Sequence, residues 1–177
     1  MLAYLFVVFA VAFRFLLLHS PEWMAFTPVA AALLYFGARA PRRQFWVPVA
    51  LLAASDVVLT KLVYSYPLTA DHFITWGWYV AALFIGACLR SDSKALRIGV
   101  ASVSASISFF IVSNFAVWAV WNMYPKTLGG LVECYVAAVP FFRNTLAGDL
   151  FFSAVLFGIG AVVSGYASEK AHGRIAA

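Results

Sequence analysis

Long apolar runs alternate along the chain with short stretches rich in polar, proline and glycine residues. A helix that crosses a bilayer needs about 20 apolar residues, and cutting the chain at these stretches leaves six runs near that length. They predict a single all-α transmembrane domain whose six helices cover about 2–18, 24–38, 45–64, 72–89, 96–121 and 145–167. A polar tail, 168–177, follows and is expected to lie in the cytoplasm.

The connection between the fifth and sixth runs, NMYPKTLGGLVECYVAAVPFFRN, is too long for a tight turn. Glycines and Pro140 interrupt it, and the stretch LVECYVAAV between them predicts one short amphipathic helix at the membrane surface. We expect a lid whose side chains hang over the mouth of a cavity, although an interfacial helix with no such role has the same pattern. These side chains are Tyr124, Glu133, Cys134, Tyr135 and Arg143.

The composition is that of a protein surrounded by lipid. Of the 177 residues, 64 % are hydrophobic and 11 % are charged, whereas a soluble domain is roughly half apolar and a quarter charged. The 17 Phe, 8 Tyr and 6 Trp suit helices that cross two membrane interfaces. The first apolar run has no basic start and no small-residue cleavage site, so we predict a retained helix rather than a secretory signal.

The net charge of +5 comes from short basic clusters between the apolar runs, a pattern typical of membrane orientation signals rather than of nucleic-acid binding. Eight basic residues fall on one side of the predicted helices, and only Lys126 and Arg143 fall in the loops opposite. Because cytoplasmic loops collect Lys and Arg, we expect an inner-membrane protein with both termini in the cytoplasm. The eight are Arg39, Arg42, Arg43, Arg90, Lys94, Arg97, Lys170 and Arg174.

Four polar residues interrupt the apolar runs: Arg14, Asp56, Asn114 and Asp149. An ionisable residue within a bilayer costs roughly 2.5–3.5 kcal/mol, so each is a candidate functional residue. All four fall in the outer half of their predicted helices, which favours a cavity open to the outside. The alternative is purely structural. Arg14 then neutralises Asp56, the asparagine bonds a neighbouring helix, and the second aspartate interacts with a helix dipole.

Catalytic and metal-binding patterns are missing from the sequence. There is no HExxH, P-loop, GxSxG or dinucleotide-binding fingerprint, and the three histidines, at positions 19, 72 and 172, are scattered. We therefore predict no enzyme activity, no cofactor and no metal site. Cys88 and Cys134 fall on opposite sides of the predicted membrane, so no disulfide between them is expected.

Most of the chain, from about Arg14 to Gly158, is covered by the segments RFLLLHSPEWMAFTPVAAALLYFGA, VPVALLAASDVVL, FFIVSNFAVWAV and MYPKTLGGLVECYVAAVPFFRNTLAGDLFFSAVLFG. They resemble a widespread family of bacterial six-helix membrane proteins that is similar to the substrate-binding S components of energy-coupling-factor (ECF) vitamin transporters. The resemblance implies an S-component-like bundle with cytoplasmic termini and an outer substrate pocket. It also implies docking on a transmembrane scaffold protein and two ATPases.

The first helix lacks the Ala-x-x-x-Ala face by which many S components dock. This departure favours a solitary transporter or a different membrane partner. Among solitary members, the chain is similar to vitamin B12 transporters, a resemblance that implies substrate-binding roles for His19, Asp56 and Arg143. The loop SYPLTADHF has no match for the cysteine that binds cobalt in some of them.

We therefore expect a substrate-binding subunit or solitary carrier that takes up a small organic micronutrient, with a corrinoid such as cobalamin as the named candidate. Its expected binding residues are Arg14, His19, Asp56, Asn114, Tyr135, Arg143 and Asp149, with flat rings stacked on Trp76, Trp78, Trp118 and Tyr135. A structural subunit of a larger membrane complex is the alternative, favoured by small residues four apart on three helices. An ion-coupled transporter or channel using Asp56 and Asp149 is a third hypothesis, disfavoured because no inverted repeat is visible.

Overall fold

The computed structural model describes residues 1–19, 25–89 and 94–175, without the side chains of 19, 168 and 170–175. Within these ranges the chain forms six α-helices and no strand. The prediction of an all-α chain with six helices is confirmed. The helices are α1 (Leu2–Leu16), α2 (Val29–Arg39), α3 (Trp46–Val58), α4 (Ala70–Ala87), α5 (Ala95–Val120) and α6 (Leu128–Ile175).

Three helical stretches of the described chain are long and apolar enough to cross a membrane: Arg42–Val63, Ala95–Val120 and Leu128–Ala167. The first of them joins a 3-10 turn, α3 and a π turn. The helices α1 and α2 are apolar but have only 15 and 11 residues, about 22 and 16 Å at 1.5 Å per residue, against a bilayer core of about 30 Å. The chain thus has the apolar helices of a membrane protein, with three rather than six meeting the criteria for a full span.

The predicted second helix, 24–38, starts too early. In the structure α2 begins at Val29, directly after Pro28. Proline disfavours helical geometry in the residue before it, and Ala25 has a left-handed backbone with a φ of 69°. Residues 25–28 therefore form an irregular connection, which is called the entry segment below.

The separate interfacial helix and sixth helix, predicted at 131–139 and 145–167, are one continuous helix, α6. Pro140 predicts a break, but the helix continues through it. A proline inside a helix removes one backbone hydrogen bond and crowds the preceding turn, and apolar helices with packed neighbours tolerate it. The predicted tail is also helical, since α6 runs to Ile175. The α6 helix starts where the Thr127 hydroxyl accepts the Gly130 N–H at 3.2 Å.

At the centre of the bundle lies α2, which contacts α1, α4, α5 and α6. Every residue from Val29 to Gly37 is buried. The ring of Tyr35 packs between Phe6 of α1 and Phe157 of α6, with centroid distances of 4.8 and 5.1 Å. This short, small-residue helix is the element around which the longer helices assemble.

Two glycines bring α2 and α4 into backbone contact. A Cβ on Gly37 would overlap the Leu83 carbonyl oxygen, and a Cβ on Gly86 would overlap that of Leu34. The carboxyl ends of α2 and α4 therefore lie side by side. Tyr4, near the start of α1, packs on Phe36 at 5.1 Å between ring centroids, so the start of α1 lies at the same end of the bundle.

We call this the basic end, because its loops carry exposed arginine and lysine side chains. The other end is formed by the end of α1, the entry segment, the end of α3 and the start of α4. The described basic residues of the basic end are Arg39, Arg42, Arg43, Lys94 and Arg97.

Gly86→Ala is expected to destabilise the protein, because the new Cβ would overlap the α2 backbone. Overpacking of this kind costs about 1–3 kcal/mol, so the melting temperature in detergent should fall by several degrees. The control is Gly77→Ala in the same helix, where an added Cβ meets nothing within 4 Å and helix propensity improves by about 1 kcal/mol. Equal melting temperatures for the two variants would contradict the close α2–α4 contact.

Candidate functional site

Arg14, in the last turn of α1, forms an ion pair with Asp56 near the end of α3. Its other terminal nitrogen donates to the Ser55 hydroxyl at 2.7 Å. The Arg14 side chain is 18 % exposed and that of Asp56 is 9 % exposed. The planar guanidinium fork suits this geometry, because its separate N–H groups can bind two neighbouring oxygens at once.

The second carboxylate oxygen of Asp56 accepts two hydrogen bonds from side chains of α4. Trp76 Nε1 donates to it at 2.9 Å and the Tyr79 hydroxyl donates at 3.0 Å. These two residues are three positions apart and therefore lie on one face of the helix. We call Arg14, Ser55, Asp56, Trp76 and Tyr79 the Asp56 network; it ties α1, α3 and α4 together.

A second buried carboxylate, that of Asp149 on α6, is 3 % exposed. The Ser106 hydroxyl of α5 donates to its Oδ2 at 2.6 Å. One turn along, the hydroxyls of Ser153 and Ser102 are 3.3 Å apart. The described residues contain the Arg14–Asp56 ion pair and a contact between Asp71 and His72, which is an ion pair only with a protonated imidazole. The described partner of Asp149 is instead a neutral hydroxyl.

Both carboxylate systems meet at one cavity of about 230 Å³, which we call the first cavity. Arg14 and Tyr79 line it from the Asp56 network, and Asp149 lines it from α6. A few polar groups set in mostly apolar and aromatic walls are typical of a small-molecule site. The other lining residues are Ala25, Thr27, Val29, Ala30, Trp78, Phe109 and Thr145.

A second cavity of about 210 Å³ adjoins the first and shares Ala25, Phe109 and Thr145 with it. Asn114 lies in its wall, with its side-chain amide donating to the Phe110 carbonyl of its own helix at 2.8 Å. The rest of the lining is Phe110, Ser113, Ala138, Phe141 and Phe142. This cavity is therefore an apolar extension of the first, between α5 and α6.

The aromatic walls of the first cavity are fixed in orientation. Trp78 Nε1 donates to the Ser108 hydroxyl at 3.0 Å, and its ring lies 4.6 Å from that of Phe109 between centroids. Tyr79 is held by its bond to Asp56. These rings are thus held in place by the protein itself.

The entry segment closes the cavity against α6. A Cβ at Gly148 would lie 3.2 Å from both Phe26 Cα and the Thr27 nitrogen, so glycine next to Asp149 permits this approach. Ala25 lines both cavities while keeping its left-handed φ of 69°. That conformation costs a non-glycine residue about 1–2 kcal/mol, and such strain is often found at functional sites.

The structure brings together part of the predicted set. Arg14 and Asp149 line the first cavity, Asn114 lines the second, and Asp56 lies behind Arg14. The side chain of His19 lies outside the described residues.

The predicted lid residues do not line either cavity and lie along α6 or just before it. Cys134 is buried with its sulfur 3.5 Å from the Asn114 carbonyl, and the Tyr135 hydroxyl donates to the Ile111 carbonyl at 2.7 Å. Glu133 and Arg143 are exposed, and Tyr124 is half-buried. Trp118 donates to the Pro125 carbonyl at 2.9 Å, so it packs at the α5–α6 turn and not against the cavities.

Tyr79, Phe109 and Thr145 are missing from the sequence-based prediction. Nothing distinguishes one tyrosine or phenylalanine in an apolar helix from its neighbours until the helices are packed. Ser106 had a visible signal, since Ser102 and Ser106 are four apart and form a small helix face. In the structure this face meets α6: Ser106 bonds to Asp149, and Ser102 lies against Ser153, one turn further along α6.

The described residues include two free thiols and no cluster of metal ligands. Within them, no group of three His, Cys, Asp or Glu side chains could hold a metal ion. Cys88 is exposed and Cys134 is buried, and both are free thiols.

The chain belongs to the family of unknown function DUF6580, whose model matches residues 1–171. No curated protein and no solved structure matches it. The family description names no activity.

Arg14→Met and Asp56→Leu are each expected to lower the free energy of unfolding by about 3–5 kcal/mol, because each leaves a buried charge without its partner. The double variant should recover much of that loss, since an apolar pair can replace a buried ion pair. Melting temperatures in detergent measure both effects, with Glu133→Gln, an exposed carboxylate, as the unchanged control. Additive losses in the double variant would show that the two charges are not coupled.

Proposed function

We propose that this DUF6580 protein is a membrane carrier or substrate-binding subunit that captures a small organic molecule in the first cavity. The observation that carries the proposal is the placement of Arg14 and Asp149 in the walls of one cavity inside an apolar bundle. Buried charges are costly and concentrate at functional sites in membrane proteins. A bundle that needed only stability would be served as well by apolar residues.

The lining supports binding rather than catalysis. It offers a guanidinium, a carboxylate, two threonine hydroxyls and three aromatic rings. No described pair of these groups has the nucleophile and base arrangement that covalent catalysis needs. Charged groups and oriented rings are instead the means by which a site selects a ligand.

The size of the cavity narrows the substrate. Pockets for drug-sized ligands measure about 300–1,000 Å³; the two adjoining cavities measure about 230 and 210 Å³, so that together they lie at the lower end of this range. A compound of one or two rings, or a short chain with a charged group, fits this space better than a complete corrinoid. We therefore propose a small micronutrient and not cobalamin itself.

We further propose that the cavity faces the outside of the inner membrane and that both termini are cytoplasmic. The support is the charge distribution: exposed Arg39, Arg42, Arg43, Lys94 and Arg97 lie at the basic end, opposite the entry segment. In this arrangement α1 and α2, short as they are, enter the membrane as parts of an S-component-like bundle. Energy for uptake comes from a gradient or from partner subunits, such as an ECF scaffold with its ATPases.

A second candidate function, a structural subunit of a larger membrane complex, is favoured by a groove of about 440 Å³ between α5 and α6. Gly99, Ala154, Gly158 and Ala161 line it, and small residues let a transmembrane helix of a partner subunit approach closely. In that case Gly158→Leu would dissociate a stoichiometric complex in mild detergent and leave the monomer folded. A monomeric wild-type protein would exclude this function.

Thr145→Trp is expected to abolish ligand binding, because the indole would fill the space where the two cavities meet. The measurement is a thermal-shift screen of purified protein against a panel of vitamins, amines, amino acids and nucleobases, followed by calorimetry of any compound that binds. Ala137→Trp, on an exposed face of the same helix, is the control and should bind as wild type. If no compound binds the wild-type protein, or if binding survives in Thr145→Trp, the carrier proposal fails.

The orientation is tested with single cysteines in a chain in which Cys88 and Cys134 are replaced by alanine. Lys94→Cys should react with a membrane-impermeant maleimide only after cell lysis, since the basic end faces the cytoplasm. Thr127→Cys, at the exposed start of α6, should react in intact spheroplasts. The reverse labelling pattern would place the cavity on the cytoplasmic side.

A further inference from the structure

We propose that the substrate is an organic cation, an amine or ammonium compound, whose charged group binds Asp149. This inference rests on the proposed function and deepens it by naming the substrate class. It follows from the balance of charges around the first cavity and from the nature of the walls opposite Asp149.

The first step is the charge balance. The positive charge of Arg14 is matched by Asp56, whose two oxygens are also bonded to Trp76 and Tyr79. Asp149 has instead a neutral hydroxyl as its partner and takes part in no ion pair among the described residues. Asp56 lies behind Arg14 and offsets its guanidinium, so an ionised Asp149 carboxylate in the cavity wall has no described positive partner, which favours a positively charged ligand.

The second step concerns solvation. A buried carboxylate loses its hydration, and one neutral hydrogen bond replaces only part of it. Asp149 is 3 % exposed, so water reaches it poorly. A ligand that brings an N–H donor and a positive charge compensates the carboxylate, whereas an anionic ligand would add repulsion to the same desolvation.

The third step concerns the aromatic walls. Trp78, Tyr79 and Phe109 line the cavity, and aromatic faces attract ammonium groups, most strongly where water is excluded. Trp78 and Tyr79 are held by hydrogen bonds to Ser108 and Asp56. The rings thus need no rearrangement on binding, which reduces the entropy lost.

The substrate also has an apolar part. The second cavity continues from the first through Thr145 and Phe109 into walls of phenylalanine and alanine. A ligand whose ammonium lies at Asp149 can extend its hydrocarbon portion into this space. The matching chemical class is a small aralkyl or alkyl amine and not a simple inorganic cation.

Three probes with one skeleton test the inference: 2-phenylethylamine, 2-phenylethanol and phenylacetate, titrated into purified protein in lipid nanodiscs by calorimetry. Their heads are positive, neutral and negative at pH 7. We expect the amine to bind roughly 10- to 100-fold more tightly than the alcohol, the range for one charge-assisted hydrogen bond, and phenylacetate not to bind. Thr145→Trp should not bind the probes in the cavity, so the heat measured with this variant reports their partitioning into lipid and is subtracted.

Asp149→Asn keeps the shape of the side chain and removes its charge, so it should reduce amine affinity to that of the alcohol. Glu133→Gln, which removes an exposed carboxylate from the same helix, is the matched control and should bind the amine as wild type does. If Asp149→Asn does not fold, the three-probe comparison in the wild-type protein remains the test, and an amine that binds no more tightly than the alcohol contradicts the inference.

Two results would overturn the inference while the carrier proposal stands. One is tighter binding of the alcohol or phenylacetate than of the amine, in a way that Thr145→Trp abolishes. The other is unchanged amine affinity in Asp149→Asn, which would mean that the ammonium group does not bind this carboxylate. Failure of all three probes and of the compound panel to bind the wild-type protein would remove the carrier proposal itself.

Discussion

A buried carboxylate in an apolar helix bundle has to be paired or hydrogen-bonded, because an uncompensated charge costs several kcal/mol. Asp56 meets this requirement with donors from two other helices, Arg14 of α1 and Trp76 and Tyr79 of α4. Satisfying one side chain therefore fixes the positions of three helices relative to each other. Two of its partners, Arg14 and Tyr79, also form walls of the first cavity, so the geometry of the cavity depends on the same network.

The remaining walls depend on close packing of small residues. The contacts at Gly37 and Gly86 seat α2 against α4, which places the start of α2, with Ala30, beside the aromatic side of the cavity. Gly148 lets the entry segment approach α6. Where glycine removes a side chain from a helix contact, backbones meet. The irregular entry segment, rather than a regular helix, forms this part of the cavity wall through Ala25 and Thr27.

The sequence predicted the polar part of the site better than its architecture. Arg14, Asp56 and Asp149 are conspicuous because charges are rare in apolar runs, and the structure brings them to one region. The sequence predicted a separate lid helix, whereas the structure has one continuous α6. A proline in the sequence looks the same whether the helix ends at it or continues through it, as α6 does at Pro140. Tyr79 was invisible for a different reason: its role depends on the packing of α4 against α1 and α3, which no single-helix pattern contains.

The two carboxylates differ in what holds them, and this difference has a mechanical consequence. The Asp56 network joins α1, α3 and α4, whereas Asp149 belongs to the α5–α6 pair through Ser106. The first cavity lies between these two groups of helices and is lined by both. A ligand in the first cavity would contact both carboxylate systems, and its affinity would depend on the α4–α5 contact that joins them, which includes the Trp78–Ser108 hydrogen bond. A carrier needs that property, because a ligand can shift a conformational equilibrium only by its differential affinity for the two states.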